Sequence, residues 1–407
     1  MKILLKIAWR NIWRNPRRSW VLITSIAVGV FGYLGTSAFS RGFLNQMVAS
    51  AINLRGGHIL ISAQGFYENP SVRSTIKRPE EISGVLSSLP DIASTPTVEL
   101  NGMINSTESA AGVIVNGILP QREVKITTIS KSIVEGHYLT SGSKNEIVIG
   151  EELAHKLHVR LGEKVVLMTS DLEKNISSAA FRICGLFKSS SADFDKAFVY
   201  IHLHAAQKLA GYEKQISSFT LKLAKPYELE QTVSALEAKL DTKKYEILTW
   251  QDRNKLLELS LKFYDFSIVI TVVILFTVIA FSIANAFLMV IYERIYEFGV
   301  MMANGVFPKK IRQILYIESF FITFIGTVVG FMVTGLILGY WKSVGLDLSS
   351  FAKGLSTFGV GAIIYPDVTT FDVLIGVAVI NVIVFCAILY PAHKASRFEV
   401  VDAIRFE

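Results

Sequence analysis

The chain has 407 residues, 51% of them hydrophobic, and its 41 basic and 34 acidic side chains leave a formal charge of +7. Soluble proteins are about 45–50% apolar, so the average decides little, but four nearly charge-free stretches of about 20 residues are each long enough to cross a hydrocarbon layer of about 30 Å. That pattern excludes a wholly soluble enzyme, a disordered chain and a β-barrel. Residues 1–18 carry Lys2, Lys6, Arg10, Arg14, Arg17 and Arg18 and no acid. Beside an apolar span such an excess is a topology signal, so no nucleic-acid partner is expected. Cys184 and Cys386, the second inside an apolar stretch, offer neither a disulfide framework nor a C-x-x-C motif.

In chain order, residues 1–18 read as a helix lying in the membrane interface. Leu5, Trp9, Ile12 and Trp13 share one face, and Lys6, Arg10 and Arg14 share another; a plain basic topology signal is the alternative. Residues 19–40 form the first span, with the N-terminus held in the cytoplasm. Residues 41–265 form a large extracytoplasmic α+β domain. In it Gly57–Ser62, Phe219–Leu223 and Tyr245–Trp250 read as strands, Pro79–Leu89 and Tyr227–Leu240 as helices, and Ile92–Ile104 as extended. Asn145–Leu167 reads strand, helix, turn, strand. The outer strand–helix–strand units are expected to pack as one layer, with a mostly stranded middle, about 120–210, inserted as a distal lobe. Spans two, three and four cover 266–291, 314–340 and 371–390. They leave a cytoplasmic loop at 292–313, an outer loop at 341–370 and a cytoplasmic tail at 391–407. The fold class is an α-helical membrane protein of four spans plus that α+β domain.

The segment Glu293–Ser319 carries the most information. It reads as a short helix, a Gly305–Pro308 turn and a helix re-entering the membrane. Glu293 and Glu297 are spaced to share a face, and Gly299, Ala303 and Gly305 permit close approach of another backbone. Such a knob suits docking on a soluble partner; an ordinary solvated loop is the alternative.

These residues, Glu293-Arg294-x-x-Glu297-Phe-Gly299-Val-Met-x-Ala303-x-Gly305, resemble the signature of the FtsX-like permease family, which includes macrolide exporters and lipoprotein-releasing permeases. Tyr390-Pro391-Ala392-x-Lys394-Ala395-Ser396-Arg397 through Asp402-Ala403-Ile404-Arg405 resembles the family's closing motif, and Ala8-x-Arg10-Asn11-x-x-Arg14-Asn15 its opening. Residues 145–167 are similar to an element of its external domain, so the resemblance spans the chain. It departs at Met302 and Asn304, where relatives often carry Arg and Leu.

The resemblance implies a permease subunit of a mechanotransmission ABC transporter in the bacterial inner membrane, its large domain periplasmic. Implied partners are an ABC ATPase dimer, a second permease copy or paralogue, a periplasmic lipoprotein chaperone and membrane lipids. Stalks at Arg41–Leu54 and Asn254–Phe266 would carry motion outward. ATPase coupling would fall to Glu293, Arg294, Glu297, Gly299, Ala303 and Gly305. No cofactor of its own is expected: with no G-x-x-x-x-G-K-[ST] loop, ATP would be bound by a separate subunit and this chain would not be an enzyme. Lipoprotein release is the leading reading, supported by a Lol-like region after the first span. Export of peptides, antibiotics or other amphiphiles and signalling to a cell-wall hydrolase are its rivals.

Three intramembrane polar residues stand out. Glu318 could act in coupling or snorkel toward Lys310 or Arg312, while Asn285 and Asn381 read as packing glue between helices. Gly326-x-x-x-Gly330, with Gly335 and Gly339, reads as a close-packing face, a dimer interface being one use of it. His58, His137, His155, His158, His202 and His204 invite a metal reading, with His202-x-His204 placed on a strand. No third ligand is supplied by spacing, so no metal site is expected. Neither G-x-S-x-G nor H-E-x-x-H occurs, so hydrolase chemistry has no support.

Overall fold

The computed structural model describes residues 2–54, 56–89, 91–140, 142 and 145–395. It opens with α1 (Lys2–Arg14) and α2 (Pro16–Leu54). There follow β1 (Ile59–Ala63), α3 (Pro79–Ser87), β2 (Ile92–Asn105), β3 (Ala110–Ile118), α4 (Pro120–Glu123), β4 (Ile133–Gly136) and β5 (Glu146–Gly150). Next come α5 (Glu151–Leu157), β6 (Lys164–Ser170), β7 (Ile176–Phe187), α6 (Ala192–Ala197), β8 (Phe198–His202) and α7 (Leu203–Ala210). The segment ends with β9 (Ser218–Leu223), α8 (Leu229–Lys239), β10 (Tyr245–Thr249) and α9 (Trp250–Arg253). Then come α10 (Lys255–Glu293), α11 (Ile295–Ala303), α12 (Pro308–Val344), β11 (Leu346–Asp347), α13 (Ala352–Thr357), β12 (Ile363–Ile364) and α14 (Thr370–Ala395). Two compact units result: a helical one (Met1–Leu44, Leu261–Asp347, Ile363–Glu407) and an α+β one (Asn45–Ser260, Leu348–Ala362).

The α+β unit is built on ten strands in the order β10-β1-β9-β2-β3-β8-β5-β7-β4, with β6 paired to β2 and β7. The anticipated strands and helices fall where the alternation placed them. The expected separation into an outer layer and a distal lobe is softened by β2. Its 14 residues pair β9 through Ile92–Thr97 and β3 through Val98–Asn105, so one strand runs through both ends. β5 shows why the middle reads as unbroken apolar runs. Ile147 and Ile149 enter the main core, while Val148 faces a second cluster with Phe187, Phe194 and Tyr200. A strand covered on both faces has no polar side to alternate with.

Among the described residues four helices are long and apolar enough to cross a membrane: Ser19–Leu54, Leu257–Glu293, Pro308–Val344 and Thr370–Ala395. Each contains one expected span, the first helix runs on past residue 40, and α10 starts before 266, at Lys255, so Asn254 of the expected 254–266 segment precedes it. The break between α1 and α2 follows from local chemistry. Pro16 disfavours helical geometry at Asn15, while as the first residue of α2 its missing N–H costs nothing. α1 does not merely lie on a surface. It buries Ala8 and Ile12, Trp9 meets Phe321 of α12 edge-on at 5.3 Å, and Ser19 Oγ donates to the Ile12 carbonyl at 2.6 Å.

The glycine face of α12 is an intrachain contact. A Cβ on Gly326 would lie 2.9 Å from Cβ of Ile26, and one on Gly330 2.8 Å from Cβ of Val30. The pair therefore seats α12 on α2, which corrects the dimer-interface use, and Gly335 and Gly339 face open space. Of the expected 391–407 tail, Pro391–Ala395 continue α14. Ser396, Arg397, Asp402, Ala403, Ile404 and Arg405 lie outside the described residues.

Candidate functional site

At one end of the helical unit the chain stops α10 at Glu293 and restarts as α11 at Ile295. Arg294 lies between them with φ −111° and ψ 8°. This break turns the Arg294 side chain inward. Its Nη1 donates to both carboxylate oxygens of Glu318 on α12 at 3.0 Å, and its Nε donates to Glu297 Oε2 at 3.3 Å. Its guanidinium also sits 5.2 Å from the Phe298 ring centre. Both partners of the Arg294–Glu318 pair are only 8% exposed. The other oxygen of Glu297 pairs with Arg14 of α1. A single chain of charges, Arg14, Glu297, Arg294 and Glu318, thus ties α1, α11 and α12. Beside it Asn11, Ser19 and Phe287 help to line a cavity of about 20 Å³, room for one water.

α11 faces two ways. Ile295, Phe298 and Gly299 are buried, whereas Tyr296 (57%), Val300 (36%) and Phe307 (70%) are exposed, as is Ala303. Those exposed positions recur at four, three and four residues, so the three on α11 make one stripe on its outer face, and Phe307 follows at the next interval, just before α12. Gly305 ends the helix at φ +85°. Its N–H donates to the Met302 carbonyl and that of Val306 to Met301, at 2.9 and 3.0 Å, the reciprocal C-cap that needs a left-handed residue.

Several expectations are corrected here. Glu293 and Glu297 do not share one helix face, because the break at Arg294 falls between them. Arg294 and Gly299 are interior rather than part of the knob's surface. Gly305 serves its φ rather than a close approach, since a Cβ there meets nothing within 4 Å. Glu318 is paired by Arg294, not by Lys310 or Arg312. Asn381 donates to the Val377 carbonyl of its own helix at 2.7 Å, and Asn285 is exposed on α10. Met302 is half-buried and the exposed Asn304 donates to the Val300 carbonyl.

A second ion pair closes the other end of the unit. Arg41 Nη2 meets Asp372 Oδ1 at 2.8 Å, and Asp372 caps α14 reciprocally with Thr369 at 2.9 and 3.3 Å. Sequence reasoning missed this pair, although each charge stands next to a long charge-free apolar run.

Within the α+β unit a cavity of about 180 Å³ is lined by Glu99, Asn116, Glu123, Thr127, Tyr200 and Arg253, among others. Glu123 is 5% exposed, its Oε2 has no hydrogen-bond partner, and burial pushes its carboxyl up to about 7. Arg253 donates to the Gly57 carbonyl at 2.7 Å. The histidines of the sequence reading do not converge. His58 Nδ1 accepts the Leu223 N–H at 3.1 Å, and burial with the Lys222 and Arg253 charges holds it below the usual imidazole range. His202 ends β8 while His204 lies in α7, so the two do not share a strand face.

Four helices of spanning length and composition, with an α+β unit inserted in the chain between the first and the second, are the plan of a membrane protein with one large insertion. The chain belongs to the FtsX-like, MacB-like permease family. Residues 19–239 match the MacB-like periplasmic core domain and residues 257–400 the FtsX-like permease C-terminal region, as the motifs implied. The lipoprotein-releasing system transmembrane protein LolC of Neisseria meningitidis is 25% identical, covering 95% of this chain and 94% of that protein. An uncharacterized ABC transporter permease of Methanocaldococcus jannaschii is 23% identical over 99% and 98%. The macrolide export ATP-binding/permease protein MacB of Bradyrhizobium diazoefficiens is 20% identical over 99% of this chain and 60% of that protein. The chain is an ABC transporter permease of this type.

Proposed function

We propose that this chain is the permease subunit of a mechanotransmission transporter that extracts lipoproteins from the outer leaflet of the bacterial inner membrane and passes them to a periplasmic chaperone. The observation that carries this reading is the likeness to LolC across nearly the whole of both chains. Withdrawing an acyl anchor costs about 0.8 kcal/mol per CH₂, which is why release is coupled to ATP. The ATP is bound by a separate ATPase pair.

The ATPase docks on the outer stripe of α11. In this reading Ala303 and the exposed Glu293 belong to the contact, and Gly305 shapes it. Gly299 seats the helix, and Arg294 with Glu297 passes its displacement to Glu318 on α12 and Arg14 on α1. The six basic residues before the first span hold α1 and α11 in the cytoplasm. The unbroken helices α2 and α10 carry the motion outward. A second permease copy covers α10, whose apolar window is only 11% buried. Export of an amphiphile is the second reading, favoured by the match to a macrolide exporter over 99% of this chain.

The test is affinity purification of the tagged protein in mild detergent, with mass spectrometry of what stays bound. An ATPase together with acylated lipoproteins supports release. An ATPase with an efflux adaptor or a wall hydrolase, and no lipoprotein, replaces it with export or signalling.

A further inference from the structure

Among the described residues of the α+β unit, one group of three metal-ligating side chains converges: His137, Glu146 and Cys184, whose ligand atoms all lie within 4.8 Å of one another. They come from three neighbouring strands. His137 follows β4, Glu146 opens β5 and Cys184 lies in β7, which pairs with both. The backbone holds them tightly. His137 N–H donates to the Cys184 carbonyl at 2.9 Å, and a Cβ at Gly136 would fall 2.2 Å from that same carbonyl oxygen.

Cys184 is set there by an irregularity. The β5–β7 register pairs Ile147 with Ile183 and Val148 with Gly185, so Cys184 is the extra residue of a bulge. Bulges re-aim side chains and gather at functional sites. The polar atoms around it are unusually poised. An oxygen of Glu146, Oε2, is buried without a hydrogen-bond partner. His137 Nδ1 lies 3.0 Å from the Tyr138 carbonyl oxygen; as a donor there it leaves Nε2 with the lone pair, the second-sphere arrangement typical of a ligating histidine.

We propose that His137, Glu146 and Cys184 form a binding site for a thiophilic divalent cation, with zinc the best fit to the donor set. An N, S and O set suits zinc, which has no geometric preference of its own and completes four-coordination with a water or an incoming ligand. Tetrahedral zinc brings ligand atoms to about 3.3–3.7 Å, so closure needs an inward movement of about 1 Å. The exposed His137, beside the sheet's terminal strand, can supply it. Metal-free, burial and the Glu146 charge push the Cys184 thiol up to about 12; a bound dication offsets both. The cation joins β4 to β5 and β7, and a water or incoming ligand completes its coordination.

The test uses the full-length protein in detergent, stripped with EDTA and titrated with Co²⁺ and then Zn²⁺. The site predicts one equivalent per chain, with a cobalt–thiolate charge-transfer band that zinc abolishes. Cys184→Ser removes the band, and Cys386→Ser retains it. His137→Ala, at an exposed side chain whose loss leaves the fold intact, weakens binding about tenfold or more. Stoichiometric binding with the band, lost as stated, supports the site. Wild-type protein that takes up no metal, or binding unchanged in His137→Ala, overturns it.

Discussion

Glu318→Leu leaves the Arg294 guanidinium buried with its principal counter-charge gone. Breaking a buried pair from one side costs about 3–5 kcal/mol. The upper part of that range applies here, because Glu318 takes two 3.0 Å bonds from one nitrogen and both side chains are 8% exposed. Glu297 remains at 3.3 Å, but it is shared with Arg14 and compensates only in part. Arg294→Met leaves the opposite orphan and costs a similar amount. The double substitution removes both charges together, and replacing a buried pair by apolar groups is often neutral or better. The cycle therefore predicts strong non-additivity: two losses of about 4 kcal/mol or more and a double variant near neutral give an interaction energy of about 8 kcal/mol, above the usual range for contacting residues. Thermal unfolding of the four proteins in detergent, followed by tryptophan fluorescence, measures it. Trp9 and Trp13 report on α1, which the network holds. Stimulation of the ATPase is lost in both single variants and stays lost in the double, because stability returns but the latch does not. Single variants as stable as wild type, or losses that simply add, refute this reasoning.

The cavity acid gives a pH prediction. Glu123 is raised from 4.5 to about 7, so between those values the folded protein holds a proton that the unfolded chain has released. The contribution of Glu123 to stability is highest below pH 4.5, falls as pH rises to 7 and is flat above, a span of roughly 3 kcal/mol. Glu123→Gln removes most of that slope in melts from pH 5 to 8; an unchanged slope assigns it to other groups. On α12, Gly326→Ala drives a methyl into Ile26 and costs about 1–3 kcal/mol, whereas Gly335→Ala meets nothing and gains up to about 1 kcal/mol of helix propensity. Equal effects in thermal unfolding contradict the packing assignment. Val300→Asp, on the exposed stripe, shifts stability by less than about 0.5 kcal/mol yet abolishes ATPase copurification. A variant that copurifies normally removes the stripe from the docking surface.

The architecture was legible because the bilayer and the sheet impose periods that the sequence must obey. The strands at 57–62, 219–223 and 245–250, the helix at 79–89 and the four apolar runs all emerge from those periods. The 292–313 segment shows a helix and a turn in its sequence, but not its wiring. Four-residue spacing presumes a continuous helix, and the break at Arg294 voids that premise between Glu293 and Glu297. Glu318 was noticed for its cost in an apolar run, yet its partner lies on another helix, where spacing gives no guidance. Arg41 and Asp372 escaped for the same reason. The Gly326 and Gly330 pattern announced a close approach without saying to what. His137, Glu146 and Cys184 were invisible as a group, since a bulge and three strand pairings bring them together.

In the proposed function a separate ATPase engages this permease at α11. A photo-crosslinking side chain at Val300, activated in native membranes and followed by mass spectrometry of the adduct, tests it most directly. The account predicts a single dominant adduct with a nucleotide-binding subunit, lost when Arg294 and Glu318 are replaced singly. Adducts with lipid alone, or with this chain's own α+β unit, would contradict it.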